Sequence, residues 1–268
     1  MTTQDIILSI CIPTYNRADL LKEALDSILA QDNSRIEVIV CDNASADNTE
    51  EVVKEYKDKF HKFLFHKIEK NIGACRCLIK STEIASGKYF WLLGSDDKIC
   101  QGAIEKVIEQ IDADNDLTGL TFAFDGYDLE MKNKIALPNF VSYEKDTLVT
   151  SIEDFALNLF PYYGYLSCTL FRKDRFDETL NSTPIDHLIL SEAGPYVLAY
   201  VLTKVFMKYP RILYLVTPCI QWRSDNDSFE VELGRLRRYE ILAPIINYII
   251  TENIISSRNK WSSIDGLF

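Results

Sequence analysis

The feature that most constrains this chain is a regular exchange of strand-like and helix-like segments, repeating about every 25 residues through the first hundred. "DIILSICIP" is an apolar run stopped at Pro13, which lacks the N–H that a central strand needs. Behind it Leu20, Leu21, Ala24, Leu25, Ile28 and Leu29 form an apolar stripe of helical period, with Asn16 placed to cap it. "IEVIVCD" is a second strand, ending on Asp42. The polar stretch from Asn43 to Thr49 then introduces a helix that turns Val52, Val53, Tyr56 and Phe60 inward. "KFLFHKI" is a third strand; Asn71 and Gly73 open a helix that Gly87 closes, and "KYFWLLG" is the fourth strand. Strands joined by helices lie parallel, so the pattern predicts an α/β fold with a mostly parallel central sheet flanked by helices. Such sheets bind ligands beyond the carboxyl ends of their strands, where Pro13, Asp42, Asn71 and Asp96 all fall.

The second half is less regular. A helix is expected near residues 101–112, a strand in "LTGLTFAFDGYDL", and an irregular polar stretch through Thr150. Ser151, with Glu153 and Asp154, caps "FALNLF", and "GYLSCTLFRK" reads as extended. Residues 185–208 read as helical with a break at Gly194-Pro195, "RILYLV" as a late strand, and 230–256 as a terminal helix.

A net charge of -11 offers no basic face for nucleic acid, so no nucleic-acid partner is expected. A phosphate-bearing small molecule stays open, because a cation can invert the local field. The seven cysteines lack disulfide-like or zinc-like spacing and read as buried free thiols of a reducing compartment. The opening residues carry no signal-like core and no apolar run approaches membrane-spanning length, so a cytoplasmic location is expected. Neither the dinucleotide GxGxxG nor the P-loop GxxxxGK[ST] occurs.

The sharpest local signal is "LLGSDD", an apolar run ending in Asp96 and Asp97. The pair could cap a helix, or ligate Mg2+ or Mn2+ shared with a diphosphate through hard oxygens. A glycosidase-type pair needs carboxylates roughly 5 to 9 Å apart on opposite sides of a sugar, which neighbours on a turn do not provide. Asp42-Asn43 offers a cap, or an acceptor and donor for a base or ribose. Pro13-Thr14-Tyr15-Asn16-Arg17 places a ring and a guanidinium in one turn: Tyr15 to stack on a base or face solvent, Arg17 to meet phosphate or form a surface ion pair.

The ordered set Ser9 to Arg17, Val40 to Ser45 with Asp47 and Thr49, Asn71-Ile72-Gly73, Arg76, Gly87-Lys88-Tyr89 and Leu92 to Asp97 resembles the inverting glycosyltransferase family 2, over residues 6 to 99. The resemblance implies a GT-A fold, Rossmann-like, with a mixed acceptor-side region. It also implies one compact domain: residues 1–114 bind the nucleotide-sugar, 115–229 bind the acceptor and supply the base, and 230–268 form a C-terminal helical segment. Carried over, Pro13, Tyr15 and Asp42 hold base and ribose, and Thr14, Arg17, Asn43, Asn71, Arg76 and Ser95 belong to the donor site. Gly94-Ser95-Asp96 stands at the family's DxD-like turn with Gly94 at its first acidic position. Asp96 is then the metal ligand for Mg2+ or Mn2+, and Asp97 orients the turn.

The same resemblance implies inverting transfer from a nucleotide-sugar to a saccharide or lipid-linked saccharide, in bacterial surface polysaccharide synthesis. A narrower likeness points to the deoxysugar transferase branch that includes abequosyltransferase. A UDP-sugar is the first donor to consider; CDP-, GDP- and dTDP-sugars stay open, because the Asp42 carboxylate accepts from uracil and cytosine alike. Asp186, in "TPIDHLIL", matches the late acidic position of a catalytic base or else caps a helix; Glu192 and Asp125 are further candidates. His187, one residue on, does not share a helical face with Asp186. Arg223, in "QWRSDNDS", matches a basic position near the donor phosphate or else pairs with Asp225 or Asp227, with Trp222 beside it for sugar packing. The alternative function is a noncatalytic nucleotide or saccharide-binding module. Arg235, Arg237 and Arg238 precede an apolar stripe that would dock on the domain, on a second subunit as a homodimer, or peripherally on an anionic membrane at its inner face.

Overall fold

The computed structural model describes residues 5–137, 141–160, 162, 165–186 and 197–224. The four expected strands are β1 (Leu8–Thr14), β2 (Ile36–Asp42), β3 (Phe63–Lys67) and β4 (Tyr89–Leu92), alternating with α1 (Ala18–Leu29), α2 (Thr49–Tyr56) and α3 (Ala74–Ile84). Every residue of β2 and β4 is buried, as a parallel strand covered on both faces must be. After β5 (Lys98–Ile99) and α4 (Ala103–Ala113), the chain adds β6 (Gly119–Tyr127), β7 (Lys134–Ile135), β8 (Thr147–Val149), short α5 (Ile152–Asp154), β9 (Thr169–Arg172), α6 (Lys173–Asn181), α7 (Val197–Lys208) and β10 (Ile212–Arg223).

All ten strands belong to one sheet, in the order β3-β2-β1-β4-β9-β6-β10-β5, with β7 on β6 and β8 on β10. β1 is parallel to β2 and to β4, and β2 to β3. The chain therefore steps from β1 through β2 to β3 on one side, and crosses to β4 on the other. That reversal leaves a crevice between the carboxyl ends of β1 and β4. Beyond β4 the sheet is mixed: β9 is antiparallel to β4 and β6, while β10 is parallel to β6. The fold is the expected α/β arrangement, a largely parallel sheet flanked by helices with a mixed region.

Local details depart from the sequence reading where a long-range partner wins over a local one. Asn16 does not cap α1: it takes a left-handed backbone, φ 52°, and its Oδ1 accepts from Ala46 N–H at 2.8 Å. The first N–H of α1, at Ala18, instead donates to Asp47 Oδ2 at 2.9 Å. "GYLSCTLFRK" is not extended throughout; Leu166–Cys168 is a 3-10 turn and the strand starts at Thr169. "RILYLV" continues to Arg223, with a register shift against β6 between Leu215 and Ile220. Ser151 caps α5 as expected, accepting from Asp154 N–H, and the chain continues as a π-helical turn, Phe155–Leu159. Of the expected helix at 185–208, Ile185, Asp186 and Val197–Lys208 are helical; residues 187–196, with Gly194-Pro195, and the segment 230–256 lie outside the described residues.

The core joins both halves. Trp91 of β4 meets Phe122 of β6 edge-on at 4.8 Å, and Phe90 meets Phe176 of α6 at 4.7 Å. Gly119, where β6 passes β9, leaves no room for a side chain: a Cβ there would lie 2.3 Å from the carbonyl oxygen of Leu170. Gly119→Ala should therefore lower the unfolding free energy by about 1–3 kcal/mol by forcing β6 and β9 apart, seen as a reduced urea midpoint.

Candidate active site

At the ends of β1 and β2, Thr14 and Asp42 are register partners and both are buried. Asp42 Oδ1 accepts from the backbone N–H of Ser45, at 2.9 Å, and from its hydroxyl. Among the described residues Asp42 Oδ2 and Thr14 Oγ1 have no hydrogen-bond partner. Buried polar oxygens are nearly always paired, so two orphans side by side at strand ends mark a place built for an added donor. Asn43 carries the arrangement sideways: its N–H donates to Thr14 O at 2.9 Å, its Nδ2 to Asn71 Oδ1 at 3.0 Å, and its Oδ1 accepts from Ile72 N–H at 2.9 Å. Asn71 Oδ1 also accepts from Gly73 N–H, tying the start of α3 to the end of β2. Tyr15 is 45% exposed beside this group.

Across the crevice stands the turn after β4. Asp97 N–H donates to Gly94 O at 3.1 Å, closing the turn. The Asp97 side chain points inward, where Oδ2 accepts from Ser167 Oγ at 2.6 Å and Oδ1 from Arg223 N–H at 3.1 Å. Ser167 Oγ in turn accepts from Gly94 N–H at 2.9 Å. Gly94 is needed for closeness: a Cβ there would lie 2.8 Å from Asp96 Oδ1 and 3.1 Å from Asp97 Oδ2. Burial, and then the charge of Asp96, push the Asp97 carboxyl up to about 7, against the Ser167 hydroxyl and the Arg223 backbone N–H and charge, which favour ionisation.

Asp96 faces the other way and spans the crevice, its Oδ2 accepting from Arg17 Nη1 at 2.8 Å. Arg223 is placed behind the turn: its side chain is 2% exposed, its Nε donates to Asp96 O at 2.9 Å, its Nη1 to Leu129 O, and its Nη2 to Glu23 at 3.0 Å. Arg76, in the first turn of α3, donates to Asp186 Oδ1 at 2.8 Å, joining the first half of the chain to the second. Asp125 is held by Lys134 at 2.7 Å. Trp222 packs edge-on against Phe124 and Tyr165, all three partly buried. Glu192, His187, Asp225 and Asp227 lie outside the described residues.

Among the described residues no group of three or more His, Cys, Asp or Glu side chains converges as a metal cage. Asp97 is turned inward, so the protein offers a cation one carboxylate at this turn, Asp96. A six-coordinate hard ion would complete its shell with diphosphate and water, a donor set that fits an ion arriving with its ligand.

The signature described as Glycosyl transferase family 2 matches residues 9–180. The chain belongs to glycosyl transferase family 2. Abequosyltransferase RfbV of Salmonella typhimurium is 30% identical over 264 residues, 95% of this chain and 77% of that protein. UDP-Glc:alpha-D-GlcNAc-diphosphoundecaprenol beta-1,3-glucosyltransferase WfgD of Escherichia coli is 29% identical over 145 residues, 53% of this chain and 55% of that protein. In fold the chain is similar to Staphylococcus aureus TarS 1-349 in complex with UDP-GlcNAc, with TM-score 0.67 and 18% identity over 90% of this chain and 67% of that one. It is similar too to the mannosyltransferase PcManGT from Pyrobaculum calidifontis in complex with GDP-Man and Mn2+, with TM-score 0.60 and 18% identity over 91% and 65% of the two chains. This glycosyltransferase is thus a nucleotide-sugar-dependent enzyme acting on a saccharide acceptor, and the binding-module alternative gives way.

Sequence reading of this glycosyltransferase passed over Ser167 and Glu23. Neither lies in a motif: Ser167 reaches the turn because β9 pairs with β4, and Glu23 reaches Arg223 because α1 packs on β5, the strand beside β10. The polar Ser167 inside the apolar run "GYLSCTLF" was the only hint.

The Asp97 carboxyl sets a pH dependence. Unfolded, an aspartate ionises near pH ~3.9; folded, Asp97 keeps its proton up to about 7. The folded state binds the extra proton across that window, so this group's contribution is full below the unfolded value and is lost as pH rises to about 7. In Asp97→Asn, Oδ1 can still accept from Arg223 N–H and the amide can donate to Ser167 Oγ. Between about pH 5 and about pH 8 the wild-type urea midpoint should fall relative to that variant, by on the order of 1–3 kcal/mol in unfolding free energy.

Proposed function

We propose that the enzyme transfers a sugar with inversion at the anomeric carbon, with residues 1–114 binding the donor and 115–229 supplying the acceptor surface and base. The observation that carries this reading is the pair of unpartnered buried oxygens, Asp42 Oδ2 and Thr14 Oγ1, across the β1/β4 crevice from Asp96. A base N–H or ribose hydroxyl would satisfy Asp42 Oδ2 once the covering side chains shift, with Pro13 and Tyr15 flanking the base and Asn43 and Asn71 holding that wall. Arg17, Arg76 and Ser95 then face the diphosphate, and Arg223 serves as a positioning residue, because its guanidinium is spent behind the turn. UDP is the first donor to test: WfgD takes UDP-Glc by its name, and TarS is solved with UDP-GlcNAc. The abequosyltransferase relative supports a deoxysugar donor and a role in surface polysaccharide synthesis.

In the reaction the acceptor hydroxyl oxygen attacks the anomeric carbon and its proton passes to Asp186. The bond from that carbon to the diphosphate oxygen breaks, and the electron pair leaves with the nucleoside diphosphate. Asp96 would hold Mg2+ or Mn2+, which offsets the charge growing on the leaving diphosphate. PcManGT, solved with Mn2+, supports that assignment. A lipid-linked acceptor calls for contact with a membrane surface, and no helix among the described residues is long and apolar enough to cross one.

Calorimetry and product-resolved mass spectrometry on a panel of UDP-, CDP-, GDP- and dTDP-sugars, with Mg2+ or Mn2+ and then with chelator, test the reading. Asp96→Ala should weaken donor binding and abolish its metal dependence while urea unfolding stays cooperative; loss of folding in step with binding would sink the assignment. Asp186→Asn should retain donor binding and slow transfer by about 10²–10⁴-fold, the usual worth of a general base.

A further inference from the structure

The Arg76 to Asp186 ion pair joins the two sides of the crevice, at 2.8 Å between Nη1 and Oδ1. Arg76 stands in the first turn of α3, whose lead is pinned to the end of β2 through Gly73, Asn71 and Asn43. Asp186 follows α6, in the other half of the chain. Their side chains are 39% and 79% exposed, so the pair is weakly held and open to a competing anion. An arginine guanidinium matches diphosphate oxygens at least as well as a single carboxylate oxygen.

We propose that Arg76 is a shared cation: it holds Asp186 while the donor site is empty and turns to the donor diphosphate when a nucleotide-sugar binds. The carboxylate it releases is then free to meet the acceptor hydroxyl. This inference rests on the proposed donor site and on Asp186 as base, and adds a coupling between them. The base is released from its ion pair only after the donor has arrived, so donor precedes acceptor.

The coupling has a signature that a base acting alone lacks. UDP, CDP, GDP and dTDP are each titrated into the full chain with Mg2+, and the tightest-binding one is carried through a double-mutant cycle. Asp186→Asn should tighten the nucleoside diphosphate about two- to fivefold, or ~0.4–1 kcal/mol, the range of exposed ion pairs. Arg76→Ala should weaken it, and in that background Asp186→Asn should change nothing. Unchanged affinity in the single variant overturns the sharing. Equal tightening in both backgrounds also overturns it, since a through-space field would then account for the gain. Transfer rates separate the underlying reading: if Asp186→Asn transfers sugar as fast as wild type, Asp186 is not the base, whatever the affinities show.

Discussion

The site depends on a buried carboxyl that does no chemistry. Asp97 sits under the turn after β4 and accepts from Ser167 on the approach to β9 and from the backbone of Arg223 at the end of β10. Three segments distant in sequence are thereby fixed to one another at a single side chain. A carboxyl this deep carries a desolvation cost, visible in its raised pKa, and tolerates it because both oxygens are hydrogen-bonded. Its neighbour Asp96 is pointed into the crevice because Asp97 is turned away from it.

The opposite wall is held by amides. Asn43 and Asn71 bond to each other and to the backbone N–H groups of Ile72 and Gly73, so the start of α3 cannot move independently of the end of β2. Neutral side chains suit this task, since they hold backbone groups without adding charge beside an anionic ligand. The acid placed here, Asp42, keeps one oxygen for Ser45 and leaves the other unpartnered. A fully satisfied Asp42 would make a more stable strand end but leave the proposed donor site without its acceptor.

Most of the first half was legible because its information is local. The apolar runs of β1, β2 and β4, the stripe of α1 and the acids at strand ends each declare themselves within a dozen residues. The cap of α1 was missed for the opposite reason: Asp47, far along the chain, outcompetes Asn16 for Ala18 N–H. Arg223 read as a phosphate-facing residue, because its motif carries no sign that Glu23 and Leu129 would enclose the guanidinium. The register shift that brings Arg223 under the turn lies between Leu215 and Ile220, where Pro218 marks an irregularity in the strand but not the register in which it resumes. Gly94 reads from sequence as a lost carboxylate, while in the fold a side chain there would force the Asp96 carboxylate to shift and press on Asp97.

The charges explain how an acidic chain can accept an anionic donor. Three arginines approach the crevice and are engaged differently. Arg223 is enclosed and cannot be withdrawn from the turn without giving up its bonds to Glu23 and the Asp96 carbonyl, so its charge acts as a fixed background. Arg17 and Arg76 each reach a carboxylate from a partly exposed position. Exchanging Asp186 for a diphosphate would cost Arg76 little, because exposed ion pairs are worth about 0–1 kcal/mol, whereas the Arg17 to Asp96 pair, 22% and 15% exposed, is the more firmly held of the two. Permanently free arginines would attract any anion. On the proposed donor site, pairing them with Asp96 and Asp186 would restrict the exchange to a ligand that also fills the Asp42 and Thr14 wall, and selectivity would arise from the two sides of the sheet acting together.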